Sequence, residues 1–245
     1  GPDDALGDGP RTRFGPGGEV LIDSLVDADA GGLRAWTTGA FETPLADGRL
    51  RLNGAYMRTP ASGEITDRIS PAGREYEYYT SVRLQRELGA RYARPVGAQT
   101  SLEAIAFQQW NEVETLADFE APGLRRDFDL DKSVTETVGR LTLRHTIGPA
   151  LTVEAGAEGA LNRLESQTAF TLNGNVVPLP AADVEVEETR GEAFATLTWR
   201  ANPRLSVEAG LRQETSSISS EGDVVLEKSL NFTKPRLAAA WSPGG

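Results

Sequence analysis

Five short turns marked by proline punctuate the chain at 44–48, 94–98, 147–150, 201–203 and 242–245, with the prolines at 44, 95, 149, 203 and 243. The spacing is close to fifty residues, whereas the turns of a soluble β-sandwich recur every ~8–12. Each unit therefore has room for two long strands and a long link. The segments leaving the turns carry the period of a strand: Leu151, Val153, Ala155, Ala157, Gly159 and Leu161 alternate with mostly polar neighbours, as do Leu205, Val207, Ala209 and Leu211, and Leu50, Leu52, Gly54 and Tyr56. After the second turn Ile105 and Phe107 fall opposite Leu102, Ala104 and Ala106, which predicts either a bulge or burial on both faces. The segments entering the turns alternate as well, with Val82, Leu84, Leu88, Ala90 and Tyr92 on one face, then Ala193, Ala195, Leu197 and Trp199, then Leu237, Ala239 and Trp241. Opposite these turns the links 59–73, 113–132 and 165–188 are long and polar. Strands run on into some of them, as at 64–70 and 75–79 around Pro71, Ala72 and Gly73, and at 11–14 and 20–25 around the Gly15 to Gly18 turn.

Short turns at one rim and long links at the other predict an all-β, antiparallel, up-and-down transmembrane β-barrel segment. About ten long strands can be counted, the first incomplete, so one partial β-barrel domain over 1–245 and an unclosed barrel are expected. Composition is compatible: with 39% hydrophobic and 25% charged residues and a mean hydropathy of -0.36, the chain has no apolar run long enough for a spanning helix. A spanning strand escapes that requirement, because only every second residue meets lipid. The residues that precede the short turns on the apolar face are Phe41, Tyr92, His145, Trp199 and Trp241, four of them aromatic. Amphipathic rings favour the headgroup level, so these five are the expected membrane-interface girdle. The competing reading, a soluble sandwich or closed barrel with rings capping a core, has to accommodate strands of ~11–15 residues and an apolar face built largely of Ala and Gly. Arg86 stands against the membrane reading, since it lies between Leu84 and Leu88 on the apolar face. A bulge that turns it inward, or snorkelling, is required there.

Other chemistry finds little purchase. A formal charge of -11 without a basic stripe excludes a nucleic-acid binder. With no Cys and one His, there is no thiolate, disulfide or zinc ligand set, and His145 reads as part of the aromatic row rather than as a metal ligand. No Gly-x-Ser-x-Gly elbow and no phosphate loop occur. Asp127, Asp129 and Asp131 alternate on one face and have the oxygen chemistry of a calcium site, but read better as a solvated acidic face; so do Glu185, Glu187 and Glu188, and Asp27 and Asp29. No catalytic residue, cofactor or metal is therefore expected. The start at Gly1-Pro2, with neither Met nor a leader, predicts an internal piece of a longer chain.

The run LTLRHTIGPALTVEAGAEGA at 141–160, the stretches RGEAFATLTWR at 190–200 and LSVEAGLR at 205–212, and KPRLA at 234–238 followed by Trp241 resemble mid-barrel strands of proteobacterial TonB-dependent receptors. The likeness extends over nearly the whole chain. It implies a twenty-two-stranded barrel in the outer membrane of a Gram-negative bacterium, its lumen holding a plug domain. Such a barrel imports a scarce ligand of the iron-chelate, cobalamin or oligosaccharide class with energy relayed through TonB. The implied partners are outer-membrane lipid, the plug, the remaining barrel strands and TonB; neither a plug nor a TonB box lies within these 245 residues, and the last strand departs from the family's terminal aromatic one. A passive porin-like or structural barrel, and a soluble β-rich binding module, are the alternatives. Arg140, Arg144, Glu154, Glu158, Arg190, Glu192, Glu208 and Arg212 are expected to face inward.

Overall fold

A computed structural model describes residues 7–69 and 73–242. It holds twelve strands and no helix: β1 (Gly9–Phe14), β2 (Val20–Gly31), β3 (Ala35–Leu45), β4 (Gly48–Ile69), β5 (Gly73–Pro95), β6 (Thr100–Ala121), β7 (Leu124–Ile147), β8 (Leu151–Leu172), β9 (Asn175–Val176), β10 (Asp183–Asn202), β11 (Leu205–Gly222) and β12 (Leu226–Trp241). All pairings are antiparallel, in the order β1-β2-β4-β5-β6-β7-β8-β10-β11-β12, so the chain meanders up and down through one sheet of ten columns. β1 and β12 do not pair, and the barrel is open. No helix among the described residues is long and apolar enough to cross a membrane.

Only β3 and β9 leave the simple meander. β2 pairs with the upper part of β4 (Ser24↔Ile69 to Gly31↔Ser62) and β3 with its lower part (Ala35↔Arg58 to Leu45↔Gly48), so the two make one column broken at 32–34. The break lies beside Pro60, which has no N–H for a ladder bond. Gly32 approaches so closely that a Cβ there would come within 2.4 Å of the Pro60 carbonyl oxygen.

The sheet is a single layer. Among the described residues the one buried apolar side chain is Ala160, while Leu88, Leu141, Leu197, Leu211 and Leu237 stand exposed on a common face. A sandwich would cover that face with a second sheet, and among the described residues there is none. Ladder bonds and cross-strand pairs hold the layer together, as in the walls of barrels whose apolar side is covered from outside.

Two expectations about local structure change. β6 keeps unbroken register with β5 and β7, so the anomaly at Ile105 and Phe107 is not a bulge; these side chains lie on the charged face, behind Ala104 and Ala106. The strand extension expected along 64–70 and 75–79 is present as far as the described residues go, and it holds at 113–132 too, where the sequence predicts a polar link: β4 and β5 have 22 and 23 residues, β6 and β7 have 22 and 24. Among the described residues of these links, the stretch from β8 to β10, with the short β9 at 175–176, is irregular over several residues. Away from the apolar zone both faces are polar, so the alternation that marks a strand fades although the ladder continues. Pro71 and Ala72 of the expected tip, and Pro243 to Gly245 of the last turn, lie outside the described residues.

Candidate functional site

Directly opposed residues in an antiparallel ladder share a face. Following the pairs across the sheet puts all five residues of the expected girdle, Phe41, Tyr92, His145, Trp199 and Trp241, on the apolar face. Phe41, Trp199 and Trp241 are exposed; Tyr92 and His145 are half-buried. The Tyr92 hydroxyl donates to the carbonyls of Leu45 (3.2 Å) and Ala46 (3.0 Å), closing the first short turn, in which Ala46 and Asp47 take positive φ of 44° and 61°. His145 Nδ1 is 2.8 Å from Thr100 Oγ1, its cross-strand partner.

The row drawn perpendicular to the strands from Phe41 passes through Leu52, Ala90, Ala106, Gly139, Gly159, Gly191 and Thr215 and reaches β12 at Asn231, ten residues before Trp241. The line of rings thus slips ten residues over eight strand spacings. At ~3.3 Å per residue and ~4.8 Å per spacing, strands lean by about 41° from the perpendicular to that line. Membrane barrels lean by ~35–45°. Each residue then adds about 2.5 Å of height above the rings.

Heights measured this way show an uneven apolar zone. On β8 the apolar face stays uncharged through Leu161, about 22 Å up, and on β10 through Thr189, about 25 Å up. On β4 and β5 charge arrives at Arg58 and Arg86, and on β6 a polar amide arrives at Gln108, all at about 15–17 Å. Arg86 is neither turned inward nor isolated. Its guanidinium pairs with Glu112, one step further from the rings on β6, and lies over the Trp110 ring at 5.8 Å. Snorkelling toward an acidic partner is what the structure shows, and the register of β5 stands. An unpartnered arginine at the middle of a bilayer costs ~2–4 kcal/mol, which the Glu112 contact reduces.

The other face carries alternating charge. Arg140, Arg144, Glu154, Glu158, Arg190, Glu192, Glu208 and Arg212 all lie on it. Arg140 Nε donates to Glu158 (2.6 Å), Arg190 stands 3.9 Å from the same carboxylate, Arg212 pairs with Glu192 at 3.0 Å and Lys234 with Glu214 at 2.7 Å. The acids lie flat in the wall, Glu192 at 7% side-chain exposure, and the cations stand over them, Arg212 at 47%. An exposed cationic fringe over less exposed acids suits contact with water or polar groups.

A second polar cluster lies about 40 Å above the rings. Asp67 is 1% exposed and accepts from Arg11 (3.0 Å) and Arg13 (3.1 Å), and Arg13 reaches on to Glu75. Burial pushes the Asp67 carboxyl up, but the hydrogen bonds and charges of Arg11 and Arg13 together hold it below its ordinary value. The cluster ties the β1–β2 hairpin to β4 and β5. Sequence reading missed it because its members are 54–62 residues apart in the chain. Of the acidic groups with the oxygen chemistry of a calcium site, Asp127 accepts from Thr171 (2.7 Å) and Arg125 (2.9 Å), and those two bonds with the Arg125 charge hold its carboxyl below the usual range. Among the described residues no group of three His, Cys, Asp or Glu side chains converges as a metal site.

The family model described as TonB dependent receptor-like, beta-barrel, matches residues 14–244. No curated protein matches the sequence. Among solved structures the fold is similar to BauA, the ferric preacinetobactin receptor from Acinetobacter baumannii, at 11% identity over 96% of this chain and 45% of that one, with a TM-score of 0.49. It is also similar to the siderophore receptor PiuA from Acinetobacter baumannii (8% identity, 89% and 45% covered, TM-score 0.40). A third is the ferric yersiniabactin uptake receptor FyuA from Yersinia pestis (10%, 89% and 41%, TM-score 0.38). The chain spans less than half the length of each.

Proposed function

Since the chain belongs to the TonB-dependent receptor-like β-barrel family, we propose that it forms part of the wall of an outer-membrane transporter, with its apolar face to lipid and its charged face to the lumen. The observation that carries this reading is the slope of the aromatic line. Five rings, picked out by their position before short turns, lie on one face and imply a lean of about 41°, inside the range of membrane barrels. A soluble sheet has no reason to align its rings at that angle. In this reading the rings mark the periplasmic interface, the short turns face the periplasm, and the long hairpins reach tens of ångströms beyond the outer leaflet.

The lumen side fits a barrel that encloses polar protein and water. Barrels of this family take up a scarce ligand of the iron-chelate, cobalamin or oligosaccharide class using energy relayed by TonB, and we assign that role to the full-length protein. The wall contributes shape, a wet cationic fringe and hairpins that reach the ligand's side of the membrane.

Two measurements on the full-length protein test the assignment. Fractionation should place it in the outer membrane, and growth on ferric chelates, cobalamin or oligosaccharides as sole source should, for one of them, depend on both this gene and TonB. In planar bilayers the purified protein should be electrically silent, because a plugged lumen passes no steady current. A large standing conductance would replace the transporter with a passive pore; recovery in the soluble fraction would remove the barrel reading altogether.

A further inference from the structure

Resting on the membrane-barrel reading, we propose that the lipid-facing surface of β4, β5 and β6 binds the phosphate-bearing headgroup of an outer-leaflet lipid through Arg58 and Arg86. Among the described strand residues on the apolar face, these two are the charged side chains found between the rings and a height of about 20 Å, and both are arginine. They sit on adjacent strands. Arg86 is directly opposite Tyr56, and Arg58 lies two residues further along β4, a diagonal that places Cβ atoms about 7–8 Å apart or less. Cβ atoms at that separation bring one phosphate within reach of both guanidinium forks, with Arg86 turning from Glu112 toward β4 to meet it.

The surroundings favour a lipid over a free anion. Arg86 stands between Tyr56 and Trp110 in a single cross-strand row, so acyl and sugar surface has rings to pack on. Arg86 has one acidic partner, Glu112; Arg58 is exposed and makes no ion pair or side-chain hydrogen bond with the described residues. Two cations and one acid leave a net positive notch. Directly above it the same face turns acidic, beginning with Glu112 and Glu114, which repels an anion arriving from water. A headgroup drawn down into the notch would lie about 5–10 Å nearer the rings than one beside β8 and β10. The apolar zone is low on β4 to β6, where such a headgroup needs it to be.

The test uses full-length protein extracted from outer membranes in dodecyl maltoside, as wild type, Arg58→Gln/Arg86→Gln and Arg58→Lys/Arg86→Lys. Retained lipid is counted by phosphorus and by native mass, and resistance of the unheated protein to SDS shows that each barrel stays closed. Wild type should keep about one phosphorylated lipid per chain through extensive washing, and the glutamine variant should lose it about tenfold or more. The lysine variant should fall between, because a point charge replaces a fork. Adding lipid A in mixed micelles should restore occupancy to washed wild type, and millimolar inorganic phosphate should not compete. Equal retention by the glutamine variant, displacement by inorganic phosphate, or a second polypeptide in place of the lipid would each overturn the proposal. If the double variant loses SDS resistance, Arg58→Gln alone, which keeps the Arg86–Glu112 pair, decides the question. A wild-type protein absent from the outer membrane would instead defeat the barrel reading on which this rests.

Discussion

Placing an arginine at Ala195 and then at Thr196 turns the assignment of faces into a measurement. The two are neighbours on β10. Ala195 opposes Ala155 and Leu211 on the apolar face, and Thr196 opposes Glu154 and Gly210 on the charged one. Ala195 is four residues from Trp199, about 10 Å above the rings and near the middle of a band ~25 Å tall. Ala195→Arg should therefore lower stability by ~2–4 kcal/mol, a factor of about 30 to about 900 in the folding equilibrium. At 196 the new guanidinium meets Glu154 on one side and the exposed polar surface beside Gly210 and Arg236 on the other, so Thr196→Arg should stay within ~0.5 kcal/mol of wild type. Denaturant unfolding of the full-length protein in lipid vesicles, followed by tryptophan fluorescence, gives both values. The depth dependence is a second check: Leu197→Arg, only about 5 Å above the rings, should cost less than Ala195→Arg, since the penalty falls to ~0–1 kcal/mol near an interface. Equal costs at 195 and 196, or a larger cost at 196, would refute the reasoning from register to lipid exposure.

Three further outcomes follow from particular contacts. Glu112→Gln leaves Arg86 without its acid and should destabilise the protein in zwitterionic vesicles by ~1–2 kcal/mol, with an unfolding midpoint below that of Arg86→Gln; the order of the two midpoints decides it. Asp67→Asn should loosen the β1–β2 hairpin by ~1–3 kcal/mol, read as faster hydrogen exchange of its amides with the rest of the sheet unchanged. Because the folded Asp67 carboxyl sits below its ordinary value, its contribution is whole above the ordinary carboxylate range and fades as pH falls through the folded value, so wild-type exchange should quicken only below about pH 4 while the Asn variant shows no such step. Ala46→Asn with Asp47→Gly should stabilise the first short turn by ~1–2 kcal/mol, since both positions hold positive φ that these residues accept more readily; an unchanged thermal midpoint would show that the Tyr92 clamp, not backbone preference, sets that turn.

The architecture was readable because a barrel wall writes its two environments into alternate residues. Leu151 to Leu161 and Trp199 to Ala193 are apolar on one parity and mostly polar on the other, and the short turns fix where each alternation starts. The same physics explains what was obscured. Above the apolar zone, residues such as Glu165 to Thr168 are polar on both parities, so composition suggests loop where the ladder continues. Ile105 and Phe107 suggest either a bulge or burial on both faces because apolar side chains on the charged face break the pattern, and unbroken pairing on both sides of β6 removes the bulge. The Asp67 cluster and the Glu112 partner of Arg86 had no local signal, since both depend on which strands become neighbours.

The distribution of charge gives the net value of -11 a physical meaning that composition alone does not. On the charged face the acids are matched by cations: Glu158 by Arg140, Glu192 by Arg212, Glu214 by Lys234. Little net charge is left there. Much of the surplus acid sits on the other face above the apolar zone, at Glu112, Glu114, Asp129, Asp131, Glu185 and Glu187 among others. A surface so charged repels the phosphates of an anionic leaflet across most of its breadth. The repulsion is relieved below Glu112, where Arg58 and Arg86 stand close to two aromatic rings. If those arginines were accidents of a tolerant surface, their replacement by glutamine would simply remove charge from lipid and raise stability in every bilayer. If they hold a phosphate, the same replacement should raise stability in zwitterionic vesicles and lower it in vesicles containing lipid A. A change of the same sign in both bilayers would end the case for a bound headgroup.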